Sequence, residues 1–430
     1  MLIQSINPNF ILPIVTKMLH AFYGIKRIKV FLVFALLLGA FTQQTYAQYF
    51  SFEAGRQRAT INFKLFRNMV IVPVHINGRG PFNFILDTGV GQMLITDPAL
   101  SDSLKLQTQR KIKISGFGEG ADIDAFITPE LNVTMQGLKS HNVVAAVLKK
   151  DIFGLSNYAG VHIHGLLGYE FFSHLAVKVD FTDTTVVVFN SGSFKGFSHG
   201  ATMPITVEAN RPYIQTTITR DDGSQTLSKL IVDLGAGHAL TLENVQNKAL
   251  YSPKFIADGN LGFGIKGVIN GSVGRIKALD LGRYKLKDLI VSYPEDRFTS
   301  DMSIPRDGNL GIEALKKFTT VFDYAQGVMY LKEGSGFGQP FEHDMSGLEY
   351  YASGDDLNHI IIDHVEPGSP ADKAGLEKDD EIVSINYKPV SKMSIEQIDE
   401  LFRSQDSRIL IIDVYHDTHF FTLLTLKRRI

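Results

Sequence analysis

Asp87 stands in "ILDTGVG" (85–91) and Asp233 in "IVDLGAG" (231–237). Each acid closes an apolar run and is followed, one residue later, by glycine. Each carboxyl is therefore expected at the end of a buried strand, where an acid is costly unless something holds it or uses it. Two acids in equivalent settings can meet across a pseudo-twofold axis. At about 4 Å and an effective dielectric of ~20 they repel by roughly 4 kcal/mol. The second ionisation then rises by about three units, and the pair keeps one proton between its members near neutrality. The ionised member can take a proton from water while the protonated one donates to a carbonyl oxygen. Taken singly, each Asp-x-Gly is an ordinary turn; in register, the two make the equipment of acid–base hydrolysis.

The elements that position the acids occur twice. "MVIVPVHI" (69–76), the turn "NGRG" (77–80) and "PFNFIL" lead to Asp87, while "YIQTTIT" (213–219), "RDDG" (220–223) and "LSKLIV" lead to Asp233. Both read as β-hairpins. "GFG" follows at 116–118 and at 262–264, 29 residues after each acid. "GLLGYEFFSHLAVKVDF" (165–181) is matched by "GNLGIEALKKFTTVFDY" (308–324), with 12 residues from Gly168 to Asp180 and from Gly311 to Asp323. Ordered landmarks at equal spacing mean a duplicated domain. The fold class expected is mainly β: two duplicated lobes with pseudo-twofold symmetry, then a small α+β unit. The boundaries expected are lobe 1 at 48–195, lobe 2 at 196–337 and the last unit at 338–430, with the Gly/Ser-rich "NSGSFKGFSHG" (190–200) between the lobes.

"ILDTGVG" and "LLGYEFF" resemble the active-site and hydrophobic-hydrophobic-Gly motifs of retropepsin-like and pepsin-like aspartic proteases, with "IVDLGAG" and "NLGIEAL" in the same roles in the second copy. The resemblance covers residues 65 to 335 and implies a catalytic dyad of Asp87 and Asp233, supported by Thr88, Gly89 and Gly235. It further implies a polypeptide substrate in the cleft, no cofactor and no metal. It places a flap at Gly116, Phe117 and Gly118, with "LGFGIKG" (261–267) as its counterpart. The chain departs from the pattern at Leu234, where the family has a threonine whose hydroxyl braces the dyad against the other lobe. Val90 and Ala236 also stand where many pepsin-like enzymes carry Ser or Thr.

The last unit resembles a PDZ domain of the kind found in exported bacterial proteases, through "VEPGSPADKAGLEKDDEIVSIN" (365–386), with Asp379 where glycine is usual. That implies capture of peptide or protein C-termini by strand addition, with Ser346, Gly347, Leu348, Glu349 and Tyr350 of "SGLEYY" as carboxylate loop and edge strand. The alternative is a PDZ-shaped packing module with a blocked groove.

Lys26, Arg27 and Lys29 precede the apolar run 30–41, and Ala47 precedes Gln48. This is the pattern of a signal peptide over 1–47; a membrane tether at 30–41 is the alternative, although a spanning helix needs about 20 residues. Removing 1–47 leaves 39 cations against 45 acids. The expectation is an exported, periplasmic or secreted protein with no stable membrane insertion. The mild negative balance points away from nucleic acid, and the absence of cysteine removes thiol catalysis and disulfides. "GFSHG" (196–200) lacks the strand-to-helix setting of a nucleophile elbow, and the glycines at 262, 264 and 267 lack that of a dinucleotide loop. The function expected is an aspartic-type endopeptidase; the alternative is a catalytically weak or inactive peptide-binding protein acting through its PDZ domain.

Overall fold

In the computed structural model, which describes residues 49–114, 122–243, 257–264, 267–294 and 304–430, both acid-bearing hairpins form. Met69–Ile76 and Arg79–Leu86 pair antiparallel with Ile76 opposite Arg79. Asn77 and Gly78 between them have φ of 52° and 76°, the left-handed conformation that suits the twist of a two-residue hairpin. Arg211–Thr219 and Gln225–Val232 pair around a longer loop, with Thr219 opposite Gln225.

Each acid-bearing strand then pairs in parallel with a three-residue strand from the far end of its repeat. Gly165–Leu167 lies along Arg79–Leu86, and Gly308–Leu310 along Gln225–Val232. Leu94–Ile95 and Leu240–Leu242 close the other side antiparallel. The glycines that follow are required by close approach: a Cβ at Gly168 would overlap the Val90 carbonyl oxygen, and one at Gly311 the His238 carbonyl oxygen. The loop after each acid is thereby pressed onto the loop after each short strand. Spacing alone predicted the duplication, and the chain folds as two copies.

A third sheet joins the copies. Among the described residues its order is Ala201–Pro204, Val328–Glu333, Phe318–Asp323, Leu175–Asp180, Thr185–Asn190 and Arg58–Asn62. The central pairing, Leu175–Asp180 against Phe318–Asp323 with Ala176 opposite Asp323, brings equivalent strands of the two lobes side by side. One hydrophobic core runs through both lobes, with Phe171, Phe172, Phe318 and Phe322 among its fully buried members.

Residues from Met345 onward have a core of their own. Its sheet runs Leu348–Ser353, His359–Val365, Glu381–Ile385, Ile409–His416, Thr418–Thr425. The helix Ile395–Phe402 packs on it, with a Ser394 and Gln397 capping box at its start. Asp379, in the place of the usual glycine, has φ of 71°, a left-handed position that aspartate tolerates better than most residues. Among the described residues no helix is long and apolar enough to cross a membrane; the run 30–41 lies outside them.

Candidate active site

Asp87 and Asp233 occupy the same place in each lobe. The Asp87 backbone N–H donates to the Leu167 carbonyl (3.0 Å) and that of Asp233 to the Leu310 carbonyl (2.9 Å). Each carboxyl then accepts from the glycine two residues on, Gly89 N–H to Asp87 Oδ1 at 2.7 Å and Gly235 N–H to Asp233 Oδ1 at 2.8 Å. Across the axis the arrangement is reciprocal. A Cβ on Gly89 would overlap the Asp233 carboxyl, and a Cβ on Gly235 would overlap that of Asp87. The two glycines are thus the clearance that lets the acids face each other. Burial first, and then the facing charge of Asp233, pushes the Asp87 carboxyl well above the usual carboxylate range, against the Gly89 N–H that lowers it.

The brace between the lobes is one-sided, as Leu234 predicts, yet it is complete on that side. The buried Thr88 hydroxyl donates to the Val232 carbonyl at 2.7 Å and accepts the Leu234 N–H at 2.8 Å. The Leu234 side chain is wholly buried in the shared core instead.

Four polar residues that the motifs did not single out complete the site. Asn309, from the short strand of lobe 2, donates its amide to Asp233 Oδ2 at 2.9 Å. Its counterpart in lobe 1 is Leu166, which offers no such bond; the "NLG" against "LLG" difference was the available signal. Asn68 donates to the Gly237 carbonyl (2.8 Å) and Asn210 to the Gly91 carbonyl (3.1 Å). Each Asn is the second residue of a two-residue hairpin turn, with φ of 62° and 63°, so each lobe reaches into the other's acid loop in the same way. Arg211 adds a bond from Nε to the Gly89 carbonyl at 2.7 Å.

Two further groups border the dyad. His238 shares a 2.7 Å bond with Thr241 Oγ1, and burial, opposed by the nearby Asp233 and Glu313 charges, takes its pKa down to about 4; it stands neutral. The Tyr324 ring stacks on Phe172 with centroids 5.5 Å apart. Burial, reinforced by the charges of Asp87 and Asp233, holds its hydroxyl protonated.

Gly116, Phe117 and Gly118 lie outside the described residues. The strands on either side, Arg110–Ile114 and Ile123–Met135, pair with Ile114 opposite Ile123. The counterpart at 262 and 264 is in a hairpin, Ala257–Gly264 against Gly267–Leu281.

Residues 72–171 match the family model described as aspartyl protease, and residues 361–415 that described as PDZ domain. The chain is thus mainly β, with a first lobe that matches the aspartyl protease model and a C-terminal PDZ region. The protease match takes in Asp87 and ends before the second lobe. Among solved structures, an aspartic proteinase from Irpex lacteus is similar at 14% identity and a TM-score of 0.43, covering 66% of this chain and 99% of that one. No curated protein matches.

In the PDZ region, the loop expected to capture a terminal carboxylate bonds to a carboxylate of its own chain. The N–H groups of Ser346 and Gly347 donate to Asp344 Oδ1 at 3.0 and 2.7 Å, and the Ser346 hydroxyl donates to the same carboxyl at 2.9 Å. The Leu348 N–H is taken by Ser346 Oγ at 3.1 Å. The side chains of Leu348 and Tyr350 belong to the PDZ core, and Glu349 is half-buried.

Two measurements follow from this geometry. Thr88→Val keeps the shape but strips partners from a buried carbonyl and a buried N–H, at roughly 1–3 kcal/mol for each group left unpaired. Thermal melts followed by circular dichroism should show a clear loss of stability, and Thr88→Ser should restore most of it. The second concerns pH. The raised folded-state carboxyl of Asp87 contributes stability that is complete below the unfolded carboxylate range and is lost as pH rises through its raised value. Asn mimics the protonated form, so Asp87→Asn should melt with wild type near pH 3 and roughly 5 °C above it at pH 8.

Proposed function

We propose that the chain is an exported aspartic-type endopeptidase, in which water activated between Asp87 and Asp233 attacks a peptide carbonyl. The observation that carries this reading is the reciprocal seating of each carboxyl over the glycine of the opposite lobe. A pair of plain turns has no need of that clearance.

Asn309 makes the pair unequal and assigns the roles. Asp233, with donors on both oxygens, Gly235 N–H and Asn309 Nδ2, serves as the base; Asp87, whose carboxyl burial pushes up, holds the proton. A bound water loses a proton to Asp233 as its oxygen bonds to the carbonyl carbon, and Asp87 gives its proton to the carbonyl oxygen. In the second step Asp87 takes that proton back as the C–N bond breaks, and Asp233 passes its own to the leaving nitrogen. The dyad ends as it began, and no cofactor is required.

The dyad support at Thr88, Gly89 and Gly235, a flap at Gly116, Phe117 and Gly118, and the division at 47/48, 195/196 and 337/338 go with this reading. A non-catalytic peptide-binding protein would have no use for Asn309 against one of two opposed acids. Export rests on the N-terminal pattern at 26–48.

Cleavage of a mixed-sequence peptide library, read by mass spectrometry, tests the activity. Wild type should cleave, while Asp87→Asn and Asp233→Asn should lose at least about a thousandfold in kcat/KM with the fold intact. A single Asn variant that cleaves like wild type would sink the dyad. Asn309→Leu should lower kcat about 10- to 100-fold with KM little changed, because one bond that holds the base in place is gone. Sequencing the N-terminus of protein from its native compartment should give Gln48; an intact 30–47 segment in a membrane fraction would overturn the soluble form.

A further inference from the structure

A PDZ domain takes its ligand in a groove between an edge strand and a helix, with a loop at one end for the terminal carboxylate. In this chain each part of that groove is in contact with another part of the same molecule. The loop N–H groups hold Asp344, as described above. The edge strand Leu348–Ser353 is hydrogen-bonded to His359–Val365 along one side. On its other side the Tyr350 carbonyl accepts from Arg67 Nη1 and the Ala352 carbonyl from Asn157 Nδ2, each at 2.9 Å. These carbonyls are two residues apart and so face the same edge, the one an added strand would use. Between strand and helix sits Gly160, whose Cβ, if it had one, would lie 3.4 Å from Ile395 Cβ and 3.8 Å from Ala352 Cβ.

Arg67 is the anchor. Its side chain, 7% exposed, forks onto Asp399 of the groove helix through Nε and Nη2 at 3.1 and 3.0 Å. Its backbone N–H donates to Glu396 of the same helix at 2.7 Å. Its guanidinium lies between two rings, 4.7 Å from Tyr158 of lobe 1 and 4.5 Å from Tyr350 of the edge strand. A buried arginine with a bidentate carboxylate and two ring faces is held far more firmly than a surface ion pair. The helix Leu155–Ala159 that carries Asn157 has its own footing, because Leu155 and Ala159 pack with Met69, Ile71 and Ile85 of lobe 1.

We infer that the PDZ groove is a docking surface for lobe 1 of its own chain: its ligand is the internal segment 155–160 together with Arg67, not a free C-terminus. Arg67 is also one half of the hairpin turn whose other half, Asn68, bonds the Gly237 carbonyl in the loop of Asp233. A peptide that adds to the edge strand has to displace Arg67, and in doing so pulls on the turn that braces the second acid. The docking stands whether or not the chain is a peptidase; only this coupling rests on that reading.

The test uses the full chain and a fluorescein-labelled decapeptide ending in Val with a free carboxylate. Fluorescence anisotropy should give wild type an affinity at least about a hundredfold weaker than Arg67→Ala/Asn157→Ala, in which the edge is freed. Equal affinity for the two proteins, or tight binding to wild type alone, overturns the inference. Hydrogen exchange on unliganded wild type supplies a reading that needs no variant. The Arg67 amide, bonded to Glu396 of the groove helix, should exchange as slowly as the PDZ core strands, and exchange at the rate of a free turn amide would overturn the docking equally. If anisotropy and hydrogen exchange both agree with the docking while no protein cleaves the library, the peptidase reading alone has failed.

Discussion

Bringing two acids face to face inside a shared core costs electrostatic energy that the rest of the fold has to offset. The offset is built from short bonds that cross between the lobes. Thr88 of one lobe satisfies both a carbonyl and an N–H of the other, from positions 144 and 146 residues away in the chain. Because a buried backbone group left unpaired costs more than a typical bond contributes, that single hydroxyl fixes the lobes against sliding. Asn68 and Asn210 repeat the device at the next glycine of each loop. Take these bonds away and the carboxyls would be free to move apart, which is what their repulsion favours.

Within this symmetric frame the chemistry is asymmetric. Leu234 has given up the brace for apolar packing, and Asn309 has given up apolar packing for a bond to Asp233. Both exchanges fall in lobe 2, and both leave the backbone equivalence of the acids untouched. Duplication supplies the geometry, and substitution at single positions then makes one acid differ from the other.

How much of this was legible in the sequence follows from how local each constraint is. The Asp-x-Gly and hydrophobic-hydrophobic-Gly landmarks hold their spacing because no residue with a Cβ fits where Gly168, Gly311, Gly89 and Gly235 stand. Steric necessity of that kind leaves a readable mark. The PDZ pattern was legible for a different reason, the turns of positive φ at Gly368, Gly375 and Asp379. Arg67 was not, since nothing near it in the chain marks a bond to Glu396, 329 residues on. Asp344 was in view, two residues before the loop, but only the fold shows its carboxyl turned onto the loop's own N–H groups. A blocked groove stood as the alternative to an open one, and the contacts that bear on it join residues far apart in the chain.

The sheet that joins the lobes has a consequence for how the protein comes into being. Its central strands, Leu175–Asp180 and Phe318–Asp323, pair residues as far apart as Ala176 and Asp323, and Val328–Glu333 is the last strand of the second lobe's share to be made. A ribosome that has released only the first 200 residues has made a half-sheet with an open edge, and one acid with nothing opposite it. The facing pair of acids comes into existence only when residues beyond 310 have emerged and folded back, so the growing chain never holds that buried repulsion before it has the bonds that offset it.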